Sequence, residues 1–477
     1  MITLRQAVDP TEVLLIHAPY PGRLKFQGVP SSLFAAIGPF AIENPDRQVS
    51  YLDPREPSPE FDHQLKALLS SRKVKALCIS TSTAAIEETA RIANIAAQVS
   101  PTTLVIVGGP HENDIEQKAA TRLAGVHVSV AGEAGAILRW LLERFLTGGV
   151  DPPTFTESLT PADIQAADVC GRFTVACSAW PAPLAFDRGQ SRHRDPRPLI
   201  CPERYPRFDV FDAPSTIPLM VSRGCSYGKC TFCAEANRDG SVIRTSDYAW
   251  VQELAARTPE AALYFQDSIF PAGNSSSSEL LPLLRQLGRE WGCQVYLPTL
   301  TERRVAELAE HGCTYLYTGV ESGSPSVLGA IHKPAVTRSV VLERMRWART
   351  RGIRLGISLM FGSMSIEGEL LETTATLTDT RALAHAIADT GVTITGFYPN
   401  VQTVLPGTAL ARGMAASGTN IDFYTMPRCA LFDSLEDGGV GYNFLTVAQP
   451  TAQRLAVAEG IVATAQEVQA LAGRVWS

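Results

Sequence analysis

Short apolar runs alternate with amphipathic helical patterns along two separate stretches of this chain, and that alternation narrows the fold more than composition can. The first stretch holds five runs, Val13–Ile16, Val49–Asp53, Ala76–Ser80, Leu104–Gly108 and Val126–Val130. Helical periodicity lies over residues 60–72, 85–99, 114–124 and 134–146. Continuous apolar strands joined by helical crossovers specify a parallel α/β sheet covered on both faces. The expectation is a Rossmann-like, five-stranded doubly wound domain over residues 1–150, with its ligand beyond the carboxyl ends of the strands.

The second stretch supplies six runs: Ile217–Val221, Ala262–Gln266, Gln294–Leu297, Tyr315–Thr318, Arg354–Leu359 and Val392–Tyr398. Helical patterns over Glu279–Trp291, Glu302–His311, Thr337–Arg351 and Glu367–Thr390 separate the last five. Six such strands, over residues 216–400, make either an open sheet or three-quarters of a barrel. In both cases chemistry gathers at the carboxyl ends. Residues 151–215 are rich in proline and arginine and read as a long connector. Residues 401–477 hold a loop-rich piece and a final helix, Thr446–Val475, expected to cap the active site.

Directly after the first of the six runs stands Ser222-Arg-Gly-Cys-Ser-Tyr-Gly-Lys-Cys-Thr-Phe-Cys233. Cys225, Cys230 and Cys233 form C-x4-C-x2-C, three thiols within nine residues of a loop. Soft thiolates suit iron–sulfur chemistry, and no fourth ligand lies nearby, so one iron is left open to a group that is not a side chain. Structural zinc normally takes four protein ligands, usually as two separated pairs, and fits this triplet worse. Cys170, Cys177 and Cys201 match no familiar ligand spacing and read as buried thiols.

Composition closes off other classes. A net charge of −6 and a pI near 5.8 argue against a nucleic-acid groove. No apolar run approaches the roughly 18 residues of a membrane span. The start, Met1-Ile-Thr-Leu-Arg-Gln, lacks a signal-peptide pattern, so a cytoplasmic protein is expected. Ten cysteines in 477 residues are too dilute for a disulfide scaffold.

In the first stretch, the third strand ends in Ser80-Thr-Ser-Thr83, the fourth in Gly108-Gly-Pro-His111 and the fifth in Ala131-Gly-Glu-Ala134. Small and hydroxylated residues at neighbouring strand ends make a shelf that a large ligand can approach, or they simply end strands, since glycine is a common turn residue. The first strand is followed by His17-Ala-Pro-Tyr-Pro-Gly22, not G-x-G-x-x-G, which disfavours a dinucleotide site.

Taken together, Gly108-Gly-Pro-His111, Gly132-Glu133, Arg223-Gly-Cys225, Cys-Thr-Phe-Cys233, Tyr264-Phe-Gln-Asp267, Gly319-Val-Glu-Ser-Gly-Ser324 with Leu328 and Lys333 following, and Pro-Gly-Thr408 resemble the cobalamin-dependent radical S-adenosylmethionine enzymes, most of which are methyltransferases. The resemblance covers nearly the whole chain. It implies a cobalamin-binding domain, then a radical S-adenosylmethionine partial (β/α)6 barrel, then a small α-rich C-terminal region. It implies three cofactors: a 4Fe–4S cluster on Cys225, Cys230 and Cys233, S-adenosylmethionine on the open iron, and cobalamin. Phe232 would then pack on the adenine, Glu321 would accept hydrogen bonds from the ribose, Ser322 would also bind S-adenosylmethionine, and Gln266 and Asp267 would face its amino group or the substrate. Ser80, Thr81, Ser82, Gly108, Gly109, Pro110 and His111 would contact cobalamin, with Gly132 and Glu133 beside them. His111 is expected at the periphery and not on cobalt.

Each assignment has a plainer rival. Phe232 also suits core packing, Glu321 a helix start, and Gln266 and Asp267 a solvated turn. Lys333, in Ile-His-Lys-Pro334, fits a solvated loop at least as well as a site and stays outside the expected site. Two departures from the family pattern stand out. The usual cysteine spacing is one residue shorter, and Gly228 can absorb the extra residue. The Asp-x-His-x-x-Gly signature is absent, Asp53 being followed by Pro54-Arg55.

The resemblance implies methyl transfer to an unactivated carbon or phosphorus of a small metabolite or peptide. Another radical reaction, such as cyclisation, epimerisation or desaturation, is the second reading, and a non-enzymatic thiol clip the third. A monomer is expected, served by an electron donor such as flavodoxin or ferredoxin, with neither nucleic acid nor membrane as a partner.

Overall fold

The computed structural model describes residues 5–6, 11–19, 37–38, 40–41, 43–52, 54, 57–188, 210–235, 243–245, 248–270, 274–419, 421–424 and 452–472. The chain divides into two compact units, Met1–Arg204 with Asp422–Thr425, and Tyr205–Ile421 with Met426–Ser477.

The first unit carries strands β1 (Arg5–Gln6), β2 (Val13–His17), β3 (Val49–Leu52), β4 (Ala76–Ser80), β5 (Leu104–Gly108), β6 (Val128–Gly132), β7 (Arg172–Cys177) and β8 (Leu184–Asp187). They lie in one sheet in the order β1-β3-β2-β4-β5-β6-β7-β8. Its parallel centre, β3-β2-β4-β5-β6, is the expected five-run arrangement. Alternate residues face opposite layers. Val13 and Leu15 enter a core with Ile106, Val130 and Leu141, while Leu14 and Ile16 enter another with Leu65, Ile92 and Val107. Both faces are dry, which is why these strands read as unbroken apolar runs.

Two local differences have clear causes. The pattern over 114–124 splits into short helices Pro110–Asp114 and Ala119–Arg122, because Ile115 is extended (φ −97°, ψ 142°). The supposed connector extends the sheet: β7 pairs antiparallel with β6, and β8 antiparallel with β7. Two of its prolines start helices and do not break them. Pro152 and Pro161 occupy first-turn positions behind the caps Asp151 and Thr160. Cys177 is buried in β7 and Cys170 is exposed. Burial pushes the Cys177 thiol up to about 12, as for an inert core thiol. Cys201 lies outside the described residues.

The second unit is a partial barrel. Its strands are β9 (Thr216–Leu219), β10 (Ser222–Arg223), β11 (Arg244–Thr245), β12 (Ala262–Phe265), β13 (Trp291–Val295), β14 (Cys313–Glu321), β15 (Arg354–Phe361) and β16 (Ile394–Val401). Six form a parallel sheet in the order β16-β15-β14-β13-β12-β9, and β10 and β11 form a separate antiparallel pair. Helices Glu302–Glu310, Arg338–Thr350 and Thr374–Ala388 are each capped by a threonine, Thr301, Thr337 and Thr373, whose hydroxyl accepts a first-turn N–H. Trp291, read from sequence as a helix end, instead opens β13. The preceding helix stops at Leu287, followed by Gly288 at φ +63°. The indole is then fully buried against Phe265 and Phe270, at ring-centroid distances of 5.7 and 5.4 Å. Helix Ala452–Leu471 falls inside the expected terminal helix. Among the described residues, no helix is long and apolar enough to cross a membrane.

Candidate active site

The cysteine loop leaves the carboxyl end of β9, and a buried carboxylate fixes its origin. Asp267, two residues beyond β12, is fully buried. It accepts hydrogen bonds from Val221 N–H at 3.3 Å and from both the N–H and the hydroxyl of Ser222. Burial raises its pKa to about 6 against the pull of those donors. The sequence reading faced Asp267 toward a ligand. The structure turns it inward, onto the residues that precede Cys225. Gln266, next to it, is half-buried, and its N–H donates to Leu219 O at 2.7 Å.

Gly224 and Gly228, at φ +94° and +55°, give the loop its turns. Gly228 N–H approaches Cys225 Sγ at 3.4 Å, and Cys233 N–H donates to Cys230 O at 3.3 Å. Outer fastenings hold the rest. Thr231 N–H donates to Ile331 O at 3.3 Å, and Thr231 O accepts from Leu410 N–H at 2.9 Å. Tyr227 donates its hydroxyl proton to His332 O, and its ring lies 4.7 Å from that of Tyr296. Phe232 is half-buried between two of the cysteines.

All three thiols are half-buried and free of disulfides. Burial pushes Cys230 up to about 12; the Lys333 ammonium opposes this, and Cys233, Glu321 and Cys225 add to it. Geometry links the cysteine loop to Lys333 and Glu321: Tyr227 of the loop bonds His332 O, next to Lys333, and Lys333 pairs with Glu321. A bound cationic centre would convert such thiols to thiolates. Among the described residues, no three His, Cys, Asp or Glu side chains converge on a point that one ion could fill. A cluster needs no such convergence, because each thiolate serves its own iron corner. Three soft thiols on one loop are the donors that iron–sulfur clusters take.

Lys333 is the residue that the sequence reading left out. It is buried, and its Nζ lies 2.7 Å from Glu321 Oε1 and 3.1 Å from Gly319 O. Burial pulls its pKa down, but Glu321 and Cys230 lift it above its ordinary value, so the ammonium stays charged. Its Nζ also stands 5.7 Å from the centroid of the Tyr296 ring. Glu321, at the end of β14, adopts φ +66°, a conformation uncommon for a non-glycine residue. The carboxylate folds back over Gly319, where a Cβ would lie 2.1 Å from Oε1. It is thus engaged by an ion pair and not by the following helix. Ser322 is buried; its hydroxyl accepts from Ser324 N–H at 3.1 Å and lies 3.3 Å from Thr380 Oγ1. It shapes the turn into helix Pro325–Ala330.

In the first unit, the turns after β4, β5 and β6 stand side by side. Thr81 N–H donates to Gly108 O at 2.8 Å, and His111 N–H to Thr81 O at 3.3 Å. Gly109, at φ +109°, cannot carry a Cβ, which would meet Thr81 O at 2.5 Å. Gly132 N–H donates to Asn113 Oδ1 at 2.7 Å. Glu133 ties back to β7, accepting from Arg172 N–H at 3.1 Å. Ser80, Thr81, His111 and Glu133 are buried, whereas Pro110 and Gly132 are exposed, and Ser82, Gly108 and Gly109 are half-exposed. The Ser82 hydroxyl has no hydrogen-bond partner among the described residues. His111 Nδ1 lies 3.2 Å from Thr83 Oγ1, its ring meets Tyr424 edge-on at 5.0 Å, and its Nε2 has no partner among the described residues. Burial, helped by Lys118, drops its pKa to about 3, so the imidazole is neutral. Half-exposed Gly108 and Gly109 and exposed Gly132 leave backbone that a large ligand could approach.

Comparison with known proteins finds relatives of both units. Residues 219–377 match the model of the Radical SAM superfamily. The fold is shared with two solved proteins. One is the radical S-adenosylmethionine methyltransferase TsrM from Kitasatospora setae, solved with cobalamin and a 4Fe–4S cluster: TM-score 0.59, 18% identity, over 83% of this chain and 76% of that one. The other is the cobalamin-dependent S-adenosylmethionine radical enzyme OxsB, solved with aqua-cobalamin and S-adenosylmethionine: TM-score 0.57, 13% identity, over 86% and 61%. An uncharacterized methyltransferase of Pyrococcus horikoshii is 22% identical over 315 residues, and the match spans 62% of that protein's length.

Proposed function

We propose that this chain is a cobalamin-dependent radical S-adenosylmethionine methyltransferase acting on an unactivated carbon, or phosphorus, of a small metabolite or peptide. The observation that carries the reading is the meeting of Cys225, Cys230 and Cys233 with the buried Glu321–Lys333 pair at the carboxyl end of one partial barrel. When bound, the cluster and S-adenosylmethionine supply a 5′-deoxyadenosyl radical, and cobalamin supplies the methyl group. The chain's own part is placement. Asp267 fixes where the loop begins, Tyr227 and Thr231 fasten its far side, and the three thiols hold the cluster. Phe232 and Gln266 are assigned to S-adenosylmethionine. Glu321 is assigned to its ribose, with Lys333 holding the carboxylate in place. In the first unit, Ser82, Gly108, Gly109, Pro110 and Gly132 are the accessible residues assigned to cobalamin, and Ser80, Thr81, His111 and Glu133 support them. An external one-electron donor such as flavodoxin or ferredoxin completes the system.

The test is product analysis with anaerobically reconstituted protein. Methyl transfer requires methylated product together with both S-adenosylhomocysteine and 5′-deoxyadenosine. Deoxyadenosine alone would exclude it and leave cyclisation, epimerisation or desaturation on the same scaffold. Replacing any of Cys225, Cys230 or Cys233 by alanine is expected to abolish iron retention, whereas Cys170→Ala is expected to keep it.

A further inference from the structure

Most buried hydroxyls are hydrogen-bonded, and one that is not calls for a partner from outside the chain. Tyr296 carries such a hydroxyl. The residue stands one position beyond β13, at the carboxyl end of a barrel strand, and is 7% exposed. A 3-10 turn over Leu297–Thr299 fixes its backbone. Thr299 donates both its N–H, at 3.1 Å, and its hydroxyl, at 2.9 Å, to Tyr296 O. The phenol oxygen itself is buried and has no hydrogen-bond partner among the described residues.

The neighbours of the ring locate that missing partner. Its centroid lies 4.7 Å from that of Tyr227, which stands between Cys225 and Cys230 in the chain. Lys333 Nζ lies 5.7 Å from the same centroid. Both neighbours are already committed. Tyr227 gives its proton to His332 O, and Lys333 donates to Glu321 Oε1 and Gly319 O. Tyr296 is thus held between the cysteine loop and the buried ion pair, with a proton still to give. A phenol keeps that proton at neutral pH. The cation beside the ring draws on its electron density and sharpens it as a donor. A cluster on this loop brings thiolate and sulfide sulfurs, which accept hydrogen bonds. Each such bond favours the reduced cluster, which carries one more negative charge, over the oxidised one.

We propose that the Tyr296 hydroxyl donates a hydrogen bond to a sulfur of the cluster held by Cys225, Cys230 and Cys233, and so raises its reduction potential. The proposal rests on the radical S-adenosylmethionine reading of the same loop. Tyr296→Phe keeps the ring and removes the donor. In an EPR-monitored redox titration of the reconstituted protein, without S-adenosylmethionine, the variant should keep its iron while its midpoint falls. The reduced-to-oxidised ratio at a fixed potential should drop about three- to tenfold, tenfold being about 59 mV for one electron. Pulsed ENDOR of the reduced cluster, compared in H2O and D2O, should lose one exchangeable proton coupling in the same variant. Tyr227→Phe, whose hydroxyl is spent on His332 O, should change neither reading. An unchanged midpoint or an unchanged set of exchangeable couplings in Tyr296→Phe overturns the proposal. So does an equal shift in Tyr227→Phe, or loss of iron from Tyr296→Phe, which would assign the ring to packing. Iron and sulfide content of the parent protein, and its spectral response to S-adenosylmethionine, are read separately. Their absence sinks the cluster reading itself, and this proposal with it.

Discussion

Lys333 Nζ sits 2.7 Å from Glu321 Oε1, with both side chains buried, and the same ammonium donates to Gly319 O. One cation thus pins a carboxylate whose own backbone is held at φ +66°. Such a conformation costs on the order of 1–3 kcal/mol and persists only when the surroundings over-determine it. Lys333→Met leaves the carboxylate buried and unpaired, so a loss of about 3–5 kcal/mol is expected in chemical denaturation. Adding Glu321→Gln should recover part of it. A single variant as stable as the parent would show that the pair does not hold this turn.

Tyr227 belongs to the longer gap between the first two cysteines. It joins that gap to His332 O through its hydroxyl and to Tyr296 through its ring. Tyr227→Phe removes one hydrogen bond and should cost about 1 kcal/mol with the iron retained. Tyr227→Ala removes both attachments, and iron should be lost faster on gel filtration. Equal iron retention in all three proteins would reduce Tyr227 to surface packing.

Glu372 is buried, and burial lifts its pKa from 4.5 to about 8 against an opposing pull from Ser363. The unfolded chain releases this proton near the ordinary value, whereas the folded protein keeps it until about pH 8. Its contribution to stability is therefore full below pH 4.5 and is lost as pH rises through about 8. Glu372→Gln cannot titrate. Relative to that variant, the natural chain should lose about 1.4 kcal/mol per pH unit across this window. Denaturation curves near pH 5, 7 and 9 measure the difference. A constant gap between the two proteins would contradict it.

Gly356 and Tyr315 compete for one volume. A Cβ at Gly356 would stand 2.1 Å from the Tyr315 hydroxyl oxygen. Gly356→Ala should cost about 1–3 kcal/mol through overpacking. Tyr315→Phe removes the atom in the way, so the double variant should be more stable than the sum of the single changes predicts. Strict additivity in thermal melts would rule the clash out.

What the sequence determined by itself was whatever rests on local or periodic information. A strand buried on both faces must be apolar along its whole length, so Val13–Ile16 and Leu104–Gly108 announced the first sheet. Three thiols on one loop carry their spacing with them, so Cys225, Cys230 and Cys233 were legible at once as candidate ligands. Tertiary structure alone decided which polar residues are buried and against what. Asp267 turns onto Ser222 from another strand, Lys333 closes on Glu321 across a helix, and β7 and β8 extend a sheet that the sequence had seemed to leave. Desolvation and ion pairing depend on neighbours distant along the chain, and no window of residues contains them.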